Sequence, residues 1–281
     1  MARIGQATAE TARIDFAHPL DDAAPRLRHA FGTPRQVLVA QQVDKVHAVL
    51  DAVHAAAQQG RWCVGHVRYE AAPAFDAALQ THPADGPLAW FGVYDAPLPW
   101  PEETPPDGAQ LAWHSALERA DFDAAVARIQ QAIAAGELYQ VNYTAPLSGT
   151  LLQGSPAALF AALQRAQPGG YAAHIDTGNE QVLSVSPELF FDWQEASADA
   201  ENGGGGTILT RPMKGTAPRG ATPAQDAASA AALRASPKER AENVMIVDLL
   251  RNDLSRIALP HSVRVPALFH TQALPSVWQM T

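Results

Sequence analysis

The chain of 281 residues carries a single cysteine, Cys63. One thiol closes no intrachain disulfide and builds no multi-cysteine zinc site, which points to a reducing compartment. Its setting, Trp62-Cys63-Val64-Gly65, reads as small apolar packing. No stretch approaches the ~20 apolar residues that cross a bilayer. The opening MARIGQATAETARIDF has no apolar core of signal-peptide type. Together these absences predict a soluble cytoplasmic protein without a membrane partner. Positive charge is short as well: 20 Lys and Arg face 29 Asp and Glu, a formal net charge of −9. Such a balance argues against a grip on a nucleic-acid backbone. The histidines show no HExxH or other ligand spacing, no P-loop or GxGxxG fingerprint occurs, and there is no internal repeat.

What is present is apolar patterning. Hydrophobic residues make up 47% of the chain, enough to build a core for one or two domains. Val46, Val49, Leu50, Val53 and Ala57 recur at helical spacing and predict a helix over Val43–Gln59. Trp62–Tyr69 and Leu88–Tyr94 read as strands. Proline is dense from Pro97 to Gly108, which suggests a division into a front section, 1–115, and a second section, 116–281. A helix over 121–135 is predicted, with Asp121 as N-cap and Gly136 as its stop. Tyr139–Thr144 alternates like a strand. Ser155-Pro156 opens another helix. Gln181–Trp193 and Ile208–Met213 read as strands around a Gly-rich insertion, Ala196–Gly206. Ser236-Pro237-Lys238-Glu239 carries a cap, a proline at the first helical position and a reciprocal Glu, so a helix runs from there to about Ile257.

Four groups are candidates for chemistry. Lys214 sits in Arg211-Pro212-Met213-Lys214-Gly215-Thr216, where a strand end delivers an amine beside a glycine that leaves room for a ligand. A lysine is a nucleophile only when neutral, and Arg211 is a nearby cation that favours that form. Glu188, in Ser186-Pro187-Glu188-Leu189-Phe190-Phe191, is a carboxyl between apolar neighbours and a candidate proton donor. Glu242 shares a helical face with Ile246, Leu249 and Asp253, so its carboxylate needs a partner: a metal cation, Arg240, Arg251 or another basic group. Gln140, in Gly136-Glu137-Leu138-Tyr139-Gln140-Val141-Asn142, is a neutral amide able to orient a small nucleophile without acting as a base. At each position a solvated or structural side chain is the competing reading.

These stretches, with Arg240-Ala241-Glu242-Asn243-Val244-Met245-Ile246-Val247-Asp248-Leu249-Leu250-Arg251-Asn252-Asp253, resemble in order the signature blocks of the chorismate-binding enzymes. Arg68–Asp76 and Leu88–Tyr94 look familial too. The resemblance implies an α+β fold: two large antiparallel sheets packed as a sandwich with outer helices, incomplete at the C-terminus. It implies Mg2+ held in part by Glu242, substrate contacts from Gln140, Gly215 and Thr216, and catalysis by Lys214 and Glu188. Gln140, where water-using relatives carry lysine, implies ammonia as nucleophile. Lys214, where anthranilate synthases carry alanine, implies the aminodeoxychorismate-forming branch, with anthranilate synthesis as the alternative. Ammonia would come from glutamine through an amidotransferase partner. The family's GSxTGAPK-type block, a second metal-binding glutamate and a substrate-gripping arginine are absent before Thr281, and Gln279 stands where many relatives have histidine. A truncated chain or fragment is therefore expected, with an inactive remnant that only docks the amidotransferase as the reading from another class.

Overall fold

The structure, a computed structural model, describes residues 11–21, 23–101, 108–196 and 205–281. In chain order these form β1 (Ala12–Phe16), β2 (Leu27–Phe31), β3 (Gln36–Ala40), α1 (Val46–Gln58), β4 (Trp62–Val67) and β5 (Ala89–Tyr94). There follow β6 (Gln110–Ser115), α2 (Arg119–Ala134), β7 (Leu147–Gln153), α3 (Pro156–Ala166), β8 (Tyr171–Asp176), β9 (Gln181–Ser186), β10 (Leu189–Glu195) and β11 (Gly206–Arg211). The last elements are β12 (Thr216–Pro218), α4 (Pro223–Ala235), α5 (Pro237–Ser255), β13 (Thr271–Ala273) and β14 (Val277–Met280). The chain divides into two compact units, one drawn from residues 1–102 and 163–281, the other from 103–162. The predicted division near 115 falls inside the second unit. There β6 pairs with β7 along Leu111↔Leu151 to Ser115↔Leu147, so the ladder holds that strand to later residues.

The first unit is built on two sheets. β2-β1-β8-β9 form one, and β3-β5-β4 the other, with antiparallel pairing throughout. Side chains alternate across a strand, and β5 shows the consequence. Trp90 and Tyr94 point into a core shared with Ala12, Ile14, Phe31 and Ile175 of the four-stranded sheet. Ala89 and Phe91 point the other way, onto Val46, Val49, Leu50 and Val53 of α1. The three-stranded sheet is thus covered on one face by a sheet and on the other by a helix. Phe31 and Val46 are fully buried, each stabilising the fold by roughly 2 kcal/mol through removal from water. This is the α+β architecture expected, antiparallel sheets with helices outside.

Two smaller sheets, β10-β11 and β12-β14-β13, complete this unit. A clamp fixes the second of them to α4. Arg219 places both arms on Asp226 at 2.8 and 2.7 Å, and Trp278 Nε1 donates to the same carboxylate at 2.9 Å. The guanidinium lies over the Trp278 ring, 5.0 Å from its centroid. The Arg219 hydrogen bond, with those from Gly220 N–H and Trp278, holds Asp226 well below the usual carboxylate range.

In the second unit, α2 lies between β6 and β7 in sequence, and Phe122 meets Tyr143 with ring centroids 5.7 Å apart. Its helix starts two residues before the predicted one. Glu118, not Asp121, occupies the cap, and an Arg119–Asp123 pair at 2.8 Å supports the first turn. Tyr139–Thr144 is not a strand: alternation alone makes no ladder, and these residues have no strand partner among the described residues. The 69–74 stretch is a 3-10 turn, which ends β4 at Val67 rather than at Tyr69. Most of the Gly-rich insertion, 197–204, lies outside the described residues.

At one edge of the sandwich, His66 on β4 lies 3.7 Å from Glu180, whose other oxygen takes the Arg68 guanidinium. Burial lowers the His66 pKa first, Glu180 opposes the shift, and Arg68 adds to it. The folded value lies below the unfolded one, so the unfolded chain binds the proton better. Stability is therefore expected to fall as pH drops through the unfolded imidazole range near ~6.5. Urea midpoints at pH 8 and pH 5.5 should show this loss, and His66→Gln should reduce it. Equal pH slopes in the two proteins would remove the assignment.

Candidate active site

The site is assembled where three chain segments of the first unit meet. Gly215 is buried with φ +102°, a left-handed conformation that a side chain would strain. A Cβ there would lie 3.2 Å from Met280 Cβ and 3.4 Å from Glu239 Cβ. The missing side chain thus admits β14 and α5 themselves. Lys214 N–H donates to Met280 O and Met280 N–H to Gly215 O, both at 2.9 Å, so β14 is zipped onto the lysine. Thr216 then donates to Gln279 Oε1 at 3.1 Å.

Helix α5 supplies the acidic side. Ser236 Oγ accepts from Glu239 N–H at 3.3 Å, with Pro237 in the first turn, as predicted. The reciprocal half of the box does not form, because Ser236 N–H goes to Leu233 O and the Glu239 carboxylate meets Lys238 at 3.2 Å. Glu242 stands one turn on. Its Oε2 is 3.9 Å from Lys214 Nζ and its Oε1 is 3.6 Å from Lys238 Nζ. Lys214 and Glu242 are each about three-tenths exposed, at 27% and 29%. The cation facing Glu242 is therefore lysine, not Arg240 or Arg251. Arg240 lies over the Phe269 ring and Arg251 pairs with Asp248. The face of Glu242 is also more open than its spacing predicts, since Leu249 is exposed. Arg211 is turned to other work, donating to Pro19 O at 3.0 Å and Gln272 Oε1 at 2.7 Å.

Glu188 reaches the same connection, which leaves β11 at Arg211 rather than at the predicted Met213. Its Oε1 accepts the Met213 N–H at 2.9 Å, next in sequence to Lys214. The apolar shielding expected for it is not there. Leu189 turns inward, while Glu188 and Phe190 on either side of it face solvent. Gln140 belongs to the second unit, on the stretch between α2 and β7. Its amide N–H donates to Asn142 at 3.4 Å, and its carbonyl oxygen is buried without a partner among the described residues.

The sequence reasoning passed over Asn243. It is 1% exposed, and its Nδ2 donates to Lys214 O at 3.1 Å and to Met280 O at 3.4 Å. A low-propensity asparagine inside a helix, next to a candidate carboxylate, was the available signal.

For a divalent cation the chain offers oxygen donors from Glu239 and Glu242, one turn apart on α5. Among the described residues no group of three His, Cys, Asp or Glu side chains could hold a metal. That set fits Mg2+, which is commonly held by one or two carboxylates and completes its shell with substrate oxygens and water. It does not fit a closed protein cage.

Residues 97–281 match the family described as chorismate binding enzyme. The chain belongs to that family. It is 40% identical over 192 residues to aminodeoxychorismate synthase component 1 of Klebsiella aerogenes, covering 66% of this chain and 40% of that protein. Anthranilate synthase component 1 of Streptomyces coelicolor is 37% identical over 205 residues, covering 73% of the chain and 37% of the relative. The chain thus spans about two fifths of the length of these curated relatives. A crystal structure from Bacillus anthracis, described as a 2,3-dihydroxybenzoate-specific isochorismate synthase, shares the fold. Its TM-score is 0.68 at 15% identity, over 98% of this chain and 67% of the other. Among the described residues no helix is long and apolar enough to cross a membrane.

Proposed function

We propose that the protein carrying this chain replaces the C4 hydroxyl of chorismate with ammonia, giving 4-amino-4-deoxychorismate, and that Lys214 is the covalent nucleophile. The observation behind the reading is the amine of Lys214, carried on the connection between β11 and β12, 3.9 Å from Glu242 and one residue beyond the N–H that anchors Glu188.

In this reading the Lys214 nitrogen, once unprotonated, bonds to ring carbon C2. The two ring double bonds shift, and the C4 oxygen leaves as water with a proton from Glu188. Ammonia then bonds to C4, the double bonds shift back, and the lysine nitrogen is released. The sum is chorismate plus ammonia to aminodeoxychorismate plus water. The residue at 140 is glutamine, whose neutral amide is no base for water, which favours amination over hydration. Thr216, exposed two residues beyond Lys214, contacts the substrate, while Gly215 makes room for β14 and α5 rather than for a ligand. Glu242, with Glu239, would hold Mg2+, whose charge offsets that of the substrate carboxylate. The 3.9 Å gap to Lys214 is longer than a hydrogen bond, so Glu242 is loosely engaged and can turn to another cation. A glutamine amidotransferase supplies ammonia, and the product feeds para-aminobenzoate and folate synthesis.

The test is product identity. With chorismate, Mg2+ and ammonium, or glutamine and an amidotransferase, the protein carrying this chain should form aminodeoxychorismate by mass spectrometry. Anthranilate with released pyruvate would replace this reading by the anthranilate alternative, which the Streptomyces coelicolor similarity keeps in view. Glu242→Gln should lower the rate about 10²-fold and weaken its dependence on Mg2+. An unaltered Mg2+ response would remove Glu242 from the metal.

A further inference from the structure

We infer that Asn243 is a positioning residue that sets Lys214 against Glu242 by tying the β11–β12 connection and β14 to the helix that carries the carboxylate. The inference rests on the reading of Lys214 as the nucleophile, but its geometry stands apart from any activity. Asn243 Nδ2 has two protons and two acceptors, Lys214 O at 3.1 Å and Met280 O at 3.4 Å. Those carbonyls belong to the lysine itself and to β14, and Asn243 follows Glu242 directly on α5. One amide therefore spans all three segments of the site. Its Oδ1 is buried and has no partner among the described residues. The reversed amide would face both carbonyls with an oxygen, so the donors alone hold the side chain in this orientation. A buried polar group with one end unsatisfied is costly, and its retention here goes with the tie that the other end makes.

Without the tie, Lys214 stays bonded to β14 through its own N–H and Gly215 O. The connection and β14 are then free to move together off α5, and the amine separates from Glu242. The inference therefore concerns where the amine stands, which its accessibility reports without substrate or metal.

The chain has three lysines, Lys45, Lys214 and Lys238, and one thiol. Amine labelling by a small acylating reagent is read at each lysine by mass spectrometry, and Cys63 labelling reports opening of the same unit's core. In Asn243→Ala, Lys214 labelling relative to Lys45 should rise about fivefold, the factor for one buried hydrogen bond worth ~1 kcal/mol, with Cys63 unchanged. Asn243→His restores a ring N–H donor and should return the ratio toward wild type. If Asn243→Ala does not fold, Asn243→Ser, with one hydroxyl donor, should give an intermediate rise. A wild-type ratio in the folded Ala or Ser variant overturns the inference. So does a rise that Cys63 follows in every variant, because the amine then reports general opening. Amination at the wild-type rate with a raised Lys214 ratio in Asn243→Ala would count against the proposed chemistry and leave the positioning role standing.

Discussion

Lys214→Ala should lower amination of chorismate on the order of 10³-fold or more while leaving the fold intact. Removing a nucleophile takes away a covalent route that no neighbour replaces. Lys238 also faces Glu242, but it is engaged by Glu239 at 3.2 Å and Glu242 at 3.6 Å on the helix side. Loss of stability should be small. Lys214 is partly exposed, its ion contact at 3.9 Å is loose, and such pairs contribute about 0–1 kcal/mol. The backbone bonds that hold β14, Lys214 N–H to Met280 O and Met280 N–H to Gly215 O, survive the change. The two readouts are thus separable: steady-state product formation for the chemistry, and a urea midpoint for the fold. Small primary amines should restore part of the rate if the vacated space admits a free nucleophile. A variant that aminates at the wild-type rate without added amine would end the covalent reading. The non-covalent remainder would then be ammonia adding without a lysine intermediate.

The unequal legibility of fold and site follows from range. Helix α5 was readable because its start is local: Ser236 caps, Pro237 follows, and Glu239 N–H closes the turn. The same kind of signal at Thr222-Pro223-Ala224-Gln225 went unread, although Thr222 Oγ1 accepts from Gln225 N–H at 3.3 Å and opens α4. Strands were readable when apolar alternation met a partner, as at β5 between β3 and β4. The same alternation at Tyr139–Thr144 met none, and pattern alone does not supply a ladder. β12 and β14 are short, and their pairing, Thr216↔Gln279 to Pro218↔Val277, joins residues about 60 apart in sequence. No local pattern announces such a contact. The residue types of the site were visible as Lys214, Glu188 and Glu242, and their grouping in the family's block order named the family. Their partners were not visible. That Lys214 faces Glu242, that Arg211 turns to Pro19 and Gln272, and that Glu188 lies open to solvent are consequences of tertiary packing.

Asn243→Asp puts that packing to its hardest test, because it changes one atom's chemistry at nearly constant shape. The side chain is 1% exposed, and its nitrogen donates to two carbonyl oxygens. An ionised carboxylate in its place has no proton to give, so two buried acceptors would face a buried charge. The expected loss is about 3 kcal/mol at neutral pH, in the range for an uncompensated buried charge. The pH dependence has a definite sign. Burial and the facing carbonyls favour the protonated form, so the folded-state pKa of the introduced carboxyl lies above its unfolded value near ~3.9. The variant's deficit is then smallest below the unfolded pKa and grows as pH rises through the folded pKa. Protonated, the new group regains one O–H donor, enough for Lys214 O or Met280 O but not both. Urea midpoints measured from pH 4 to pH 8 against wild type should therefore diverge with rising pH. Asn243→Ala, which buries no charge, should show a smaller loss with no added slope. Parallel curves for Asn243→Asp and wild type would mean that the amide is not the link between α5, Lys214 and β14.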